Sequence, residues 1–371
     1  MRRSLILIAV LIVLIAVGLF ALRGGGQPQV AQQPAAPAAA PTTAPVPAAP
    51  TAAPTEAGPT PVPTAAPGQF VNPVLDRDFP DPDTLKVGDT YYAYATNANG
   101  MNIQVARSTN LVRWETLNDG LPVLPRWASL QGGLTWAPEV TTTADGKSYV
   151  MYFTTRDAAS DKQCVGVATS DKPEGPFKPR DDKAFICQAD LGGTIDASSF
   201  VDEDGARYVL FKNDGNCCGM TTRLWIQKVS ADGLALEGQP TALIENDQAW
   251  EGRVIEAPTL WKHGGKYYLF YSANSYAGLD YAVGYAVADS ILGPYRKPLT
   301  TPLVASNLKT GPPVIGPGGQ DVVVDKKGNT WLMYHAWDNT ISYRWLCLDP
   351  LVWEGDAPVV KGPSRVPEPA P

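Results

Sequence analysis

From about residue 70 onward, apolar and polar residues alternate in short runs separated by polar turns, and the pattern recurs in five units. The units open on Asp81-Pro-Asp-Thr-Leu85, Trp136-Ala-Pro-Glu-Val140, Asp196-Ala-Ser-Ser-Phe200, Glu256-Ala-Pro-Thr-Leu260 and Gly319-Gln-Asp-Val-Val323, at spacings of 55, 60, 60 and 63 residues. Each opening leads to a turn (Gly88-Asp89, Asp145-Gly146, Asp204-Gly205, Gly264-Gly265, Lys327-Gly328) and then to an aromatic-rich run beginning near Tyr91, Tyr149, Tyr208, Tyr267 and Trp331. Period-two strands joined by such turns read as β-hairpins. A third run follows in most units (Ile103–Arg107, Gly166–Ser170, Leu224–Val229, Val283–Ala288), and loops such as Lys172-Pro-Glu-Gly-Pro-Phe177 lead to a fourth. Four strands per unit, five times over and without a long amphipathic helix, predict an all-β five-bladed propeller over residues 69–371. A β-sandwich would not need the same opening in every unit.

The residues before the repeat follow other rules. Met1-Arg2-Arg3 precedes an unbroken apolar run from Leu5 to Leu22, long enough to span a bilayer and followed by a poor cleavage site, Ala21-Leu22-Arg23-Gly24. Residues 1–25 therefore predict a retained signal anchor, a membrane-spanning helix, rather than a cleaved signal. The two arginines place the N-terminus in the cytoplasm and the rest outside the cell. Residues 26–68, rich in Pro, Ala and Thr, predict a disordered, polyproline-like linker. At about 3 Å per residue it would reach on the order of 100 Å.

Charge narrows the partners. The charged residues outside 69–371 are Arg2, Arg3, Arg23 and Glu56, so the repeat domain carries nine net negative charges against seven for the whole chain. That argues against nucleic acid, which needs a basic footprint, and is compatible with a neutral polysaccharide. The five cysteines show no zinc spacing. Cys164 and Cys187 are the first candidate disulfide, the adjacent Cys217 and Cys218 a second, and Cys347 stands alone.

The innermost strand of each blade lines the channel, so positions 81, 136, 196, 256 and 319 are expected to form a ring at one mouth. Three of the five are carboxylates, Asp81, Asp196 and Glu256. Like charges converging in a cleft resist joint ionisation, which makes the arrangement costly unless it has a use. Hydrolysis of a sugar acetal by a paired acid and base is such a use.

At these residues the sequence resembles glycoside hydrolase family 43, which contains arabinanases, α-L-arabinofuranosidases and β-xylosidases. The matching stretches are Asn72-Pro-Val-Leu with Phe79-Pro-Asp81-Pro, Trp136-Ala-Pro-Glu139, Ile195-Asp196-Ala-Ser-Ser-Phe200, Ile255-Glu256-Ala-Pro, Tyr267-Tyr-Leu-Phe-Tyr-Ser-Ala-Asn274, Gly284-Tyr-Ala-Val-Ala288 and Tyr334-His-Ala-Trp337. The resemblance implies that Asp81 is the general base, Glu256 the general acid, and Asp196 an ionised carboxylate that keeps the acid protonated and oriented. It implies that Arg344 reaches into the sugar pocket. Trp136 is expected to stack on the sugar, with core packing as the alternative, and Phe79 is a weaker candidate for the same wall. Glu139 is expected to be structural; Asn97, Asn213 and Asn274 are weak candidates to face the pocket, and His263 is expected to lie exposed in a hairpin turn.

Where arabinanase-like members carry Gly-Pro-Gly-His, this chain has Gly316-Pro-Gly-Gly319. Some relatives use that histidine near a central metal ion, commonly calcium. A structural calcium in the channel therefore stays open here, with His335 as its candidate ligand; the chemistry itself requires no cofactor. The expected function is inverting hydrolysis of α-L-arabinofuranosyl linkages in arabinan or arabinoxylan by a monomer on the outer face of the cell membrane. The alternatives are a β-xylosidase of the same family and a non-catalytic carbohydrate-binding propeller.

Overall fold

A computed structural model of the chain describes residues 64–371 except Gly133 and Asp181. The expected anchor (1–25) and nearly all of the expected linker (26–68) lie outside the described residues. Among the described residues, no helix is long and apolar enough to cross a membrane.

The five expected blades are present. Blade I comprises Asp83–Val87, Thr90–Ala95, Gln104–Ser108 and Glu115–Thr116. Blade II comprises Trp136–Thr142, Tyr149–Asp157, Lys162–Ser170 and Lys178–Pro179, and blade III Thr194–Val201, Arg207–Asn213, Arg223–Val229 and Leu236–Glu245. Blade IV has three full strands, Ile255–His263, Lys266–Ala273 and Ala282–Ala288, with isolated bridges to Arg296 and Val304 in place of a fourth. Blade V comprises Ile315–Val324, Thr330–Trp337, Arg344–Glu354 and Ala357–Val360. Every pairing within the blades is antiparallel.

The second strands are nearly continuous hydrophobic runs because both of their faces are buried. Val150 and Tyr152 pack toward blade III with Val209 and Phe211, whereas Met151 and Phe153 pack toward blade I with Tyr94. In blade IV, Leu269 and Tyr271 face blade III, while Tyr268 and Phe270 face blade V. Side chains alternating across a strand thus serve two seams at once. Tyr91 and Ala93 complete the circle with Trp331 and Met333 at the seam of blades V and I.

The ends of the domain meet at blade V. Val74 N–H donates to Leu346 O (2.9 Å) and Phe79 N–H to Arg344 O (2.7 Å), while Gln69–Phe70 pairs with Glu368–Pro369. The Cys164–Cys187 and Cys217–Cys218 disulfides are both formed, and Cys347 is a buried thiol.

Candidate active site

The mouth of the channel is shaped by a bulge repeated in the innermost strands of blades II to V. Trp136 pairs with Thr154 and Glu139 with Tyr152, so between them two residues face one; the same shift separates Ile195 from Ser198, Glu256 from Thr259 and Gly318 from Asp321. The residue inside each bulge has positive φ: Ala137 (40°), Asp196 (54°), Ala257 (51°) and Gly319 (56°), with Asp81 (53°) at the matching place in blade I. Bulges of this kind re-aim side chains beside functional sites.

This register corrects the expected ring. Asp81, Asp196 and Gly319 occupy equivalent positions, but Trp136 and Glu256 stand one residue earlier, level with Ile195 and Gly318. The identities at the openings hid the offset, because the extra residue of a bulge leaves no periodic mark.

A second set of side chains holds the bulges. Thr154, Lys212, Ser272 and His335 are equivalent residues on four of the second strands, and Thr96, just past the end of Thr90–Ala95, stands at the matching place in blade I. Four of the five accept the backbone N–H of the bulge residue in the next blade. Ala137 donates to Thr96 Oγ1 (2.9 Å), Asp196 to Thr154 Oγ1 (3.3 Å), Gly319 to Ser272 Oγ (2.9 Å) and Asp81 to His335 Nδ1 (3.1 Å). Lys212 cannot accept, so the Ala257 N–H turns to Asp196 Oδ2 instead (3.0 Å).

Asp81 is clamped from several sides. Its Oδ1 lies 3.3 Å from Arg344 Nη1 and 3.3 Å from His335 Nδ1, and its Oδ2 accepts from Thr96 Oγ1 at 2.6 Å. Burial alone would raise its pKa, but the Arg344 charge and the His335 and Thr96 contacts outweigh it, so the carboxyl is held well below the usual range. A carboxylate kept ionised in a cleft is suited to act as a base.

Glu256 sits across the mouth in a different setting. Its Oε2 is 2.7 Å from the Nζ of Lys212, and its Oε1 accepts from the Tyr281 hydroxyl at 2.8 Å. The Lys212 side chain is fully buried, with Asp214 Oδ1 at 3.8 Å. The Tyr281 ring stacks on His335 (centroids 5.6 Å apart, planes 7° apart), which joins the surroundings of Glu256 to those of Asp81. Asp196 differs from expectation. Burial, then the Glu256 charge, push its carboxyl up to about 8 against the opposing pull of Lys212, so it is neutral rather than ionised at pH 7.

These groups open into a cavity of about 570 Å³. Asp81, Asp196, Glu256, Trp136 and Arg344 all line it, and the Arg344 guanidinium lies 4.8 Å over the ring of Tyr276, another lining residue. Phe79 does not line it. Its side chain is fully buried in the seam of blades V and I, so Phe79 serves the core. Asn97, Asn213 and Asn274 are also outside the lining. Asn213 accepts from Arg223 N–H and Trp225 Nε1 and donates to Leu191 O and Thr221 O, which occupies it in holding loops. His263 is half-buried and stacked on Trp353 at 3.8 Å rather than simply exposed.

Glu139, expected to be structural, belongs to a lower ring that lines the floor of the same cavity. Asp83, Glu139 and Asp321 accept the N–H groups of Val140, Ser199 and Thr84 in the following blade. Burial, then Glu139 and Asp321, push Asp83 well above the usual carboxylate range, and burial also raises Glu139 and Asp321.

Both Gly318, which matches Gly-Pro-Gly-His, and Gly319, which departs from it, sit in filled space. A Cβ at Gly318 would lie 2.2 Å from Tyr281 Cε1, and one at Gly319 would lie 2.6 Å from His335 Nδ1 and 2.9 Å from Asp81 Oδ1. The space a histidine at 319 would enter is filled by His335. His335 Nδ1 faces both the Asp81 N–H (3.1 Å) and Asp81 Oδ1 (3.3 Å), and its Nε2 is buried with no hydrogen-bond partner among the described residues. Among the described residues, no group of three or more His, Cys, Asp or Glu is placed to hold a metal ion.

Sequence reasoning missed Lys212, Tyr281 and Thr96. The signal for Lys212 was present: Thr96, Thr154, Lys212, Ser272 and His335 share one place in the aromatic runs, and only lysine there lacks an acceptor.

Comparison with known proteins agrees with this geometry. A family model described as "Glycosyl hydrolases family 43" matches residues 70–358. A putative β-xylosidase of Xylanibacter ruminicola is 28% identical over 284 residues, 76% of this chain and 49% of its own length. An extracellular endo-α-(1→5)-L-arabinanase of Thermotoga petrophila is 28% identical over 255 residues, 59% of this chain and 50% of its own length. The chain thus spans about half the length of these two curated relatives. Among solved structures, a thermostable family-43 glycoside hydrolase superposes with a TM-score of 0.72 at 33% identity, covering 81% of this chain and 99% of that one.

Proposed function

The chain belongs to glycosyl hydrolase family 43, and from that premise we propose that it is an inverting glycoside hydrolase that cleaves α-L-arabinofuranosyl linkages in arabinan or arabinoxylan. The observation that carries this reading is the contrast between two carboxyls at one mouth: Asp81 held ionised by Arg344, and Glu256 beside a neutral Asp196. In this reading Asp81 takes a proton from water as the water oxygen bonds to the anomeric carbon. Glu256 gives a proton to the leaving oxygen as the glycosidic bond breaks. An inverting pair places water between base and sugar, with carboxyls about 6.5–9.5 Å apart. The proton that Asp196 holds beside Glu256 keeps a proton available near the leaving group. Arg344 and Trp136 supply donors and an aromatic face to the sugar.

The Thermotoga relative favours arabinan as substrate; the Xylanibacter relative supports the second reading, a β-xylosidase. Nitrophenyl α-L-arabinofuranoside, nitrophenyl β-D-xyloside, debranched arabinan and arabinoxylan separate them. Preferential release from the arabinosyl substrates is expected, and preference for the xyloside would replace this reading with the second. Inertness of the folded protein toward all four would favour a carbohydrate-binding propeller. We place the enzyme outside the cell, in keeping with its extracellular relative and its disulfides; anchoring by residues 1–25 rests on the hydropathy of that segment. Fractionation of expressing cells tests it, with membrane-bound protein expected and release into the medium contradicting it.

A further inference from the structure

Lys212 breaks the rule its position follows elsewhere. In blades I, II, IV and V the equivalent residue accepts the next blade's bulge N–H through Thr96, Thr154, Ser272 or His335. A threonine at 212 would complete the set. Instead the chain carries an ammonium with no exposed surface and passes the accepting task to Asp196. A residue that violates the local pattern at a site, and is compensated by a neighbour, marks a functional demand rather than a structural one.

We propose that Lys212 is a positioning residue for the proton donor: its ammonium fixes the Glu256 carboxyl against the Tyr281 hydroxyl and stabilises the carboxylate that Glu256 becomes when its proton passes to the leaving oxygen. The inference rests on the reading of Glu256 as the acid. The charged and titratable groups around it are few. Lys212, Asp214 and Asp196 come from blade III, Tyr281 from blade IV, and Asp81 and His335 act from across the mouth. Among them Lys212 is the cation in contact with Glu256. Burial works against its charge, but the surrounding carboxylates, Glu256 foremost, outweigh it and hold it protonated. As the proton leaves Glu256, negative charge grows on Oε2, 2.7 Å from Nζ, in a site where charge–charge interactions are strong. The Tyr281 hydroxyl donates to Oε1 at the same time. Both contacts are present in the free protein, so the donors need not reorganise during the step.

The test compares Lys212→Met, Lys212→Arg and Glu256→Gln in the full chain. Substrates are an arabino-oligosaccharide, whose leaving group needs a proton, and dinitrophenyl α-L-arabinofuranoside, whose leaving group does not. Lys212→Met should lower kcat/KM on the oligosaccharide by about 100-fold or more, within the range of general acid catalysis, and on the dinitrophenyl substrate by less than about 10-fold. Its alkaline limb should move to higher pH by about one unit or more, because the acid has lost the cation that favoured its ionised form. Lys212→Arg keeps the charge and should leave the limb in place while kcat falls, since a guanidinium does not reproduce the Nζ geometry. Equal losses on both substrates with an unmoved limb in folded Lys212→Met would overturn the proposal. If that variant does not fold, a limb displaced by a full unit in Lys212→Arg would overturn it. Normal oligosaccharide turnover by Glu256→Gln would instead remove the acid assignment itself, and the two failures are thereby distinguished.

Discussion

Replacing Gly319 by alanine probes the packing that holds the base. The backbone there has φ +56°, and the new Cβ would lie 2.6 Å from His335 Nδ1, 2.7 Å from His335 Cε1 and 2.9 Å from Asp81 Oδ1. His335 cannot swing aside, because it is fully buried and its ring is stacked on Tyr281. Left-handed backbone costs a non-glycine residue roughly 1–2 kcal/mol, and overpacking a filled space adds roughly 1–3 kcal/mol. The expected loss of stability is therefore about 2–5 kcal/mol. Relief must come from shifting His335 and Asp81 together, and a displacement on the order of 1 Å costs about 100-fold in rate, or about 2.7 kcal/mol of barrier. The assay is kcat/KM on nitrophenyl α-L-arabinofuranoside beside a urea denaturation curve. Gly328→Ala serves as the control: it has φ +87° with nothing within 4 Å, so it should show the backbone cost with no kinetic loss. If Gly319→Ala melts and turns over like Gly328→Ala, the account of His335 as a packed support for Asp81 is wrong.

Three further outcomes follow from the charges. Asp196 has its carboxyl raised to about 8 in the fold, against about 3.9 unfolded, so the folded state binds the extra proton between these values. Stability should accordingly fall as pH rises from about 4 to about 8, by at most about 1.4 kcal/mol per pH unit, and Asp196→Asn should flatten the slope in denaturation at pH 5, 6.5 and 8. Asp83 is raised by burial and by Glu139 and Asp321 in the same sense, so Asp83→Asn should be near-neutral at pH 5 and stabilising above pH 7. Asp83→Ala should instead cost about 1–3 kcal/mol at either pH, by leaving the Val140 N–H without its acceptor. Asp81 moves in the opposite direction: its lowered carboxyl contributes stability above the unfolded value, and that contribution is lost as pH falls through the folded one. Arg344→Met should therefore move the acidic limb of kcat/KM to higher pH, and an unmoved limb would separate Arg344 from the base.

The repeat, the blade count and the three carboxylates were legible in the sequence because they rest on period-two strands, turn residues and a recurring opening. The register inside each opening was not. A bulge shifts Trp136 and Glu256 by one position relative to Asp81 and Asp196, and no side-chain period reports a residue that a strand leaves unpaired. Phe79 looked like a pocket wall because it lies two residues before Asp81, yet its side chain is buried in the core at the seam of blades V and I. The ionisation of Asp196 was read from its neighbour alone. Burial is the larger cause, and it cannot be judged before the fold is known. Lys212 and Tyr281 reach Glu256 from other strands of blades III and IV, contacts between positions 25 and 44 residues apart in sequence.

The central claim is that Asp81 activates water on the face of the sugar opposite the leaving group that Glu256 protonates. Proton NMR of the first-formed sugar during hydrolysis of an α-L-arabinofuranoside tests it most directly. The account predicts that β-L-arabinofuranose appears first and then equilibrates. Initial appearance of the α anomer would contradict it, because retention requires a carboxylate to bond to the sugar rather than to a water.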